Sequence, residues 1–167
     1  MQITSAAFAN QAHIPPEYTC EGSNISPALS WTHVPEKAKS LVLTLDDPDA
    51  PVGTWTHWIV YNLPVDAQGL PSGVPAVENL PHKVKQGKNS FNKIGYGGPC
   101  PPPGHGIHRY FFRLFALDTV LEQSSGVNRK DLEEAMKGHI LARAELIGRF
   151  ERQTLRDRKK SVYTSLS

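Results

Sequence analysis

The chain of 167 residues lacks a long apolar run, contains only two cysteines and carries almost no net charge. Its most apolar windows, residues 58–60 and 111–117, fall short of the roughly 18 apolar residues that a membrane-spanning helix needs. Its 18 Lys and Arg against 16 Asp and Glu give a net charge of +2, so no overall field attracts nucleic acid. The N-terminus has neither the basic nor the apolar region of a secretory signal. We therefore expect no transmembrane segment, no specific nucleic-acid partner and a cytoplasmic location.

The two cysteines, Cys20 and Cys100, are expected to be reduced. A chain of this length can bury a sizeable core without a disulfide, and a cytosol keeps thiols reduced. The spacing contains no CxxC motif, which argues against a metal site built on both residues. A disulfide between them is the open alternative.

Prolines and glycines are frequent, with 14 and 13 copies, and they interrupt the sequence too often for long helices. Short apolar runs bounded by these residues predict strands over 41–45, 57–63 and 108–117. Residues 9–30 show no periodicity and predict a long ordered surface segment. No repeat or linker divides the chain, so we expect a single, mainly β domain over residues 1–167.

The C-terminal fifth is predicted to be helical. Asn128 suits the cap of a helix that begins with the next residue, and Gly138 suits its end. A second short helix is expected over 142–150, where Leu146 and Phe150 recur at helical spacing.

A basic tail is expected over residues 151–167. The segment 149–160 contains six basic and two acidic side chains, a local charge of +4. A solvated tail or helix end is the ordinary interpretation, and attraction to nucleic acid or anionic lipid is the alternative.

Polar side chains are predicted to meet at one rim of the sheet. If the strand that ends near Asp47 pairs with the strand that starts near His57, both residues lie at the same rim. Along 108–117, the alternation of a strand puts His108 and Tyr110 on one face and Arg109 on the other. The first two can therefore point into one pocket, whereas Arg109 has a structural role.

The segment before His108 cannot form a regular element. Residues 95–104 read Gly-Tyr-Gly-Gly-Pro-Cys-Pro-Pro-Pro-Gly, so that four prolines occupy five positions. The prolines stiffen this segment, and the glycines permit a close approach of the backbone to a ligand.

Three segments contain extended motifs. One reads Asp-Pro-Asp-Ala-Pro at 47–51 and continues with Trp-Thr-His-Trp at 55–58. Another is Pro-Pro-Pro-Gly-His-Gly-Ile-His-Arg-Tyr at 101–110, and the third is Asn-Ile-Ser-Pro-Ala-Leu-Ser-Trp at 24–31. Together they resemble the phosphatidylethanolamine-binding protein family, which includes the Raf kinase inhibitor proteins. The short connection between the halves of the first segment and the lead-in at 97–101 are similar to the bacterial and archaeal branch. The resemblance covers about residues 2–150.

The resemblance implies a large antiparallel sheet packed on a smaller one, with a small anion pocket at one rim. It implies that the ligand-binding residues are Asp47, His57, Tyr96, Pro101, His108 and Tyr110. It also implies that the pocket is lined by Ala50, Pro51, Cys100 and Pro102. Animal members carry glycine at the position of Cys100, so a side chain there is expected to narrow the pocket or to change the backbone.

These residue types suit a phosphate-sized anion. Two imidazoles and a tyrosine hydroxyl can donate to anionic oxygens, while Asp47 can orient an imidazole from behind. We therefore predict a binding protein for phosphate head groups or similar small anions, without a metal or cofactor. The resemblance adds a kinase or protease as a regulated protein partner, and a homodimer is also compatible with the sequence.

Two other classes stay open. Asp47, His57 and His108 could serve a hydrolase or hold a divalent metal, although the sequence contains no GxSxG, HExxH or phosphate-cradling loop. A metal pair of His105 and His108 is not expected, because a glycine-flanked loop fixes no shared face. A protein inhibitor that acts through a surface loop is the third class.

Overall fold

The computed structural model describes residues 1–166 and consists mainly of antiparallel strands. Within that range the strands are β1 Gln2–Thr4, β2 Leu29–Thr32, β3 Ser40–Asp47, β4 Trp55–Leu63, β5 Gly69–Leu70, β6 Lys85–Gln86, β7 His108–Leu117 and β8 Ile140–Phe150. The α-helices are α1 Arg129–Met136 and α2 Leu155–Ser165. Short 3-10 turns occupy Pro16–Tyr18 and Pro81–Lys83.

The strands form two sheets. The larger sheet has five strands in the order β6-β4-β3-β7-β8, and the smaller has three in the order β1-β2-β5. All neighbouring strands pair antiparallel. The predicted fold of a large antiparallel sheet with a smaller sheet and short C-terminal helices is confirmed.

Both faces of the large sheet are covered, which explains why its central strand β3 is buried along its whole length. One face packs against the small sheet in a core that includes Ile3, Leu29, Trp31, Leu41, Leu43, Leu45 and Phe112. The other face packs against α1, where Val42 belongs to the same cluster as Leu132 and Met136. A strand buried on both faces reads as a continuous apolar run, as the 41–45 segment does.

Helix α1 follows its sequence signals. The side chain of Asn128 accepts a hydrogen bond from the backbone N–H of Asp131 at 2.8 Å, which caps the first turn. Gly138 lies just beyond the helix with φ of 77°, a conformation that glycine adopts without a steric penalty. No helix within residues 1–166 is long and apolar enough to cross a membrane.

The helix predicted over 142–150 is wrong, because these residues belong to β8. This strand pairs with β7 from His108 opposite Phe150 to Leu117 opposite Ile140. Its buried side chains alternate with exposed ones, and the small or apolar even-numbered residues face the core. The period of two across the whole segment was the stronger signal, and the spacing of Leu146 and Phe150 fits a strand as well as a helix.

The expectation of two free thiols is also wrong, since Cys20 and Cys100 form a disulfide. Their Cα atoms lie 5.4 Å apart, and the backbone N–H of Cys20 donates to the carbonyl of Pro99 at 3.1 Å. The fold thus brings the segment after the first 3-10 turn against the proline-rich segment. Chain length indicates whether a disulfide is needed for stability, but it carries no information about this proximity.

Candidate functional site

The antiparallel register brings three strand ends to one rim of the large sheet. Asp47, the last residue of β3, pairs with Trp55, the first residue of β4. His57 follows two residues later, and β7 begins at the same rim with His108 because it runs antiparallel to β3. Asp47, His57 and His108 are only 2–3% exposed. The meeting of these residues at one rim is what the sequence predicts.

A pocket of about 240 Å³ opens between these strand ends. Its lining includes nine of the ten predicted residues: Asp47, Ala50, Pro51, His57, Cys100, Pro101, Pro102, His108 and Tyr110. Val52, Trp55 and Phe91 complete the wall. The pocket therefore combines an extensive apolar wall with a few convergent polar groups, an arrangement typical of small-molecule sites.

Asp47 fixes the orientation of His108. Its Oδ2 accepts a hydrogen bond from Nδ1 of His108 at 2.7 Å, and its Oδ1 accepts from the backbone N–H of Asp49 at 2.8 Å. A carboxylate in this position holds the imidazole with its proton on Nδ1. Asp47 thus lies behind an imidazole and accepts a hydrogen bond on each oxygen.

His105 contacts the remaining ring nitrogen of His108. The distance from Nδ1 of His105 to Nε2 of His108 is 2.6 Å. His105 is exposed and lies between Gly104 and Gly106, whose φ values are 75° and 92°. Within residues 1–166 no group of three or more His, Cys, Asp or Glu side chains could hold a metal ion. The separation of 2.6 Å is that of a hydrogen-bonded histidine pair.

His57 lies in a different environment. Its Nδ1 donates to the carbonyl of Gly97 at 2.6 Å, and its ring stands edge-on to Phe91 and Tyr110 at centroid distances of 5.4 and 5.3 Å. Burial lowers the pKa of His57 below its ordinary value, although the carbonyl of Gly97 and the charge of Asp47 act in the opposite direction. The ring is therefore largely neutral at neutral pH, with its Nδ1 proton engaged by Gly97.

Tyr110 carries the clearest sign of a missing contact. Its side chain is fully buried, and its hydroxyl, which interacts only weakly with the carboxylate of Asp47, makes no hydrogen bond of good geometry among the residues that the structure describes. Burial, together with the negative charge of Asp47, raises the pKa of Tyr110 far above its ordinary value. The hydroxyl therefore keeps its proton and can donate it to a group in the pocket. A buried polar group without a partner costs stability until a ligand or water satisfies it.

Tyr96 is the predicted site residue that the structure does not bring to the pocket. Its hydroxyl donates to the carbonyl of Tyr18 at 2.6 Å, and its ring packs edge-on against Trp58 at 5.4 Å. Both ends of the side chain are therefore engaged in packing. Tyr96 was assigned by the resemblance alone, since strand alternation could not orient a side chain in an irregular segment.

Three lining residues were not expected from the sequence. Trp55 belongs to one of the quoted motifs, and Val52 follows the first half of that motif directly. Phe91 lies in a loop that two hydrogen bonds between Ser90 and Thr56 hold beside β4. Closeness to the motifs could have suggested Val52 and Trp55, whereas no local pattern marks Phe91.

Cross-links from distant segments hold the proline-rich wall. Cys100 is bonded to Cys20, and the backbone N–H of Gly98 donates to Oδ1 of Asn24 at 2.9 Å. From the C-terminal side, Nη1 of Arg152 contacts Sγ of Cys100 at 3.5 Å. The wall therefore depends on contacts that lie far away in sequence.

A comparison with protein-family models matches residues 4–151 to the phosphatidylethanolamine-binding protein family. A UPF0098 protein of Methanothermobacter thermautotrophicus is 52% identical over 152 residues, which cover 91% of this chain and 99% of the relative. The chain belongs to the phosphatidylethanolamine-binding protein family. The resemblance recognised in the sequence is thus confirmed, and every pocket residue lies within the matched range.

Solved structures of family members agree with the fold. The homologue CT736 of Chlamydia trachomatis is 46% identical, with a TM-score of 0.82 over 91% of this chain and 97% of that one. YbcL of Escherichia coli, described as a member of the mammalian family, is 34% identical, with a TM-score of 0.84 over 91% and 98%. The match to the family model ends before helix α2 begins.

Proposed function

We propose that the rim pocket binds a small anion of the phosphate head-group class. The observation that carries this proposal is the buried Tyr110 hydroxyl, which lines the pocket without a hydrogen-bond partner in residues 1–166. A hydroxyl that keeps its proton is a donor, and a donor in an apolar pocket favours a ligand with acceptor oxygens.

His57 supplies a second donor once it is protonated. Its Nδ1 proton is already given to Gly97, so Nε2 can donate to an anion only when the ring becomes an imidazolium. The anion and the proton then stabilise one another, because each makes binding of the other more favourable. The apolar wall excludes water, which strengthens these charged hydrogen bonds.

Asp47 is the negative group that an anion must approach. Its charge is partly compensated because both oxygens accept hydrogen bonds, one of them from His108. The volume of about 240 Å³ suits a head group and leaves no room for a long acyl chain. We therefore expect recognition of the phosphate end of a larger molecule or of a free phosphate ester.

Titration with sulfate, followed by NMR of the imidazole nitrogens, tests the proposal. We expect saturable shifts of the His57 and His108 resonances at pH 6. The resonances of His139, which pairs with Asp118 on the surface, should stay unchanged as an internal control. Inorganic phosphate and glycerol phosphate then show whether the site prefers an ester.

Two matched variants sharpen this experiment. His57→Ala should abolish the saturable sulfate shift at His108, whereas His139→Ala should leave it intact. Shifts that fail to saturate, or that spread equally over all histidines, would contradict a built anion site.

A hydrolase has less support. The Asp47–His108 couple has the geometry of a general base, but Nε2 of His108 is engaged by His105. The described lining contains no Ser or Thr, and its cysteine is held in a disulfide. Control of a kinase or protease and formation of a homodimer remain predictions from the sequence.

A further inference from the structure

Helix α2 is exposed on every side, although it carries large apolar residues. None of its residues is buried. Leu155 and Val162 are 76% and 57% exposed, and Leu166, directly after the helix, is 79% exposed. A soluble helix normally buries its apolar face against the rest of the fold, so this surface lacks its expected cover within residues 1–166.

The apolar residues of α2 form one stripe. Leu155, Val162 and Leu166 are spaced i, i+7 and i+11, which places them within an arc of about 40° at about 100° per residue. Lys159 projects from the same side, and its alkyl stem can lie along an apolar surface while the ammonium reaches water. The helix therefore presents an apolar stripe with a cationic side chain beside it.

Basic residues flank the stripe on both sides. Arg158 lies on one side and Arg156 on the other, with Lys160 further round. Four basic residues against Asp157 alone give the helix a charge of +3. The carboxylate of Asp157 accepts hydrogen bonds from the backbone and the side chain of Thr154, and it takes part in a capping box at the start of the helix.

The helix is attached beside the pocket. Arg158 forms an ion pair with Glu21 at 3.0 Å, and Glu21 lies next to the disulfide-bonded Cys20. The backbone N–H of Gly104 donates to the carbonyl of Arg152 at 2.9 Å, three residues before α2 begins. These contacts fix the start of α2 and leave its apolar stripe exposed.

We propose that α2 and Leu166 form a docking surface for an anionic lipid bilayer. An amphipathic helix with an apolar stripe and basic flanks lies in the plane of the membrane interface, where apolar burial and attraction to acidic head groups act together. Nucleic acid would be attracted by the basic residues but would not bury the apolar stripe. A second copy of this helix would be repelled, because each copy carries a charge of +3. The proposal does not depend on what the rim pocket binds.

Co-sedimentation of the full chain with vesicles at low salt tests the docking surface. We expect binding to vesicles of phosphatidylglycerol and phosphatidylcholine, and much weaker binding to phosphatidylcholine alone. Leu155→Gln with Val162→Gln should weaken binding about tenfold, and Arg156→Gln with Lys160→Gln should do the same. These four residues are exposed, so thermal unfolding of the variants should match that of the parent.

Controls outside the helix separate the stripe from general surface effects. Val120→Gln removes an equally exposed valine, and Lys37→Gln with Lys93→Gln removes two exposed charges. Both controls should bind like the parent. The proposal is overturned if the parent does not co-sediment with anionic vesicles, or if the Leu155 and Val162 variant binds them as tightly as the parent. If neither protein binds vesicles, but the parent and the stripe variant bind equally well to immobilised single-stranded DNA, the basic residues of α2 serve nucleic-acid binding and the proposal is wrong.

Discussion

The pocket has a strand side and a loop side, and the two are built differently. The strand side contributes the polar groups Asp47, His57, His108 and Tyr110 from β3, β4 and β7. The loop side contributes the apolar wall from residues 50–52, 91 and 100–102. Register and alternation position the strand side, whereas a few long-range links position the loop side. The sheet thus determines the chemistry of the site, and the loops determine its shape and access.

Breaking the disulfide should separate the two sides most strongly. Cys20→Ser with Cys100→Ser opens a loop closed over 80 residues, for which the loss of chain constraint predicts a fall of about 4 kcal/mol in the free energy of unfolding. Denaturant unfolding of parent and variant measures this fall, and a reductant should reproduce it in the parent. The NMR signals of the Asp47–His108 pair should persist in the folded variant, while anion affinity falls because the wall is looser. If the reductant did not change the free energy of unfolding of the parent, the prediction would be contradicted.

The disulfide between Cys20 and Cys100 also affects the prediction of a cytoplasmic location. Disulfides persist in oxidising compartments and are uncommon in the cytosol. The cytoplasmic location expected from the N-terminal residues therefore remains a prediction that this bond disfavours.

Removal of Asp47 tests the strand side. Asp47→Ala leaves the buried Nδ1–H of His108 and the partly buried backbone N–H of Asp49 without their acceptor. Breaking a buried pair in this way should lower the free energy of unfolding by about 3 kcal/mol. Asp49→Ala is the matched control, because its carboxylate pairs with exposed Arg109 and its loss should matter much less. Equal losses for the two variants would show that the rim does not depend on the Asp47–His108 pair.

The sequence could predict the strand side because its information is local. Alternation along 108–117 assigned the faces of His108 and Tyr110, and the turn after Asp47 indicated the rim. The loop side depends on contacts that no local pattern contains, as the packing of Phe91 and the bonding of Cys20 show. The misassigned β8 has another cause, since a short segment can satisfy helical and strand spacing at once, and the pairing with β7 decides between them.

The pH dependence of anion binding tests whether His57 provides the positive charge. Burial holds the pKa of free His57 below 6.5, and an anion at Nε2 must raise that pKa. Sulfate affinity should therefore increase as pH falls from the raised pKa of the bound state towards the pKa of free His57, by up to about tenfold per pH unit for one coupled proton, and should level off below it. Calorimetric titration between about pH 5 and pH 8 measures it, since the charge of sulfate is constant over this range.

The stability of the free protein should change in the opposite sense. Because the folded pKa of His57 is depressed, its contribution to stability is present above the unfolded pKa of about 6.5 and is lost as pH falls towards the folded pKa. Sulfate should offset this loss, so the increase in Tm that it produces should be larger at pH 5.5 than at pH 8. His57→Gln should remove the pH dependence of both measurements, whereas His139→Ala, which changes a surface residue outside the pocket, should preserve it. A parent whose sulfate affinity is flat across this range would show that His57 does not provide the charge.

The two tyrosines give the finest comparison between the strand side and the loop segment. Tyr110→Phe removes a buried hydroxyl without a partner in residues 1–166, so the free energy of unfolding should stay constant or rise slightly. Sulfate affinity should fall by about 1 kcal/mol, or roughly fivefold, because one donor to the anion is lost. Tyr96→Phe removes the hydrogen bond to the carbonyl of Tyr18, so the free energy of unfolding should fall by about 1 kcal/mol while affinity stays unchanged. Chemical denaturation and calorimetry on both variants measure the four quantities. If Tyr96→Phe weakened sulfate binding and Tyr110→Phe did not, the hydroxyl that binds the anion would lie on the loop segment. The assignment of the polar groups to the strand side would then be wrong.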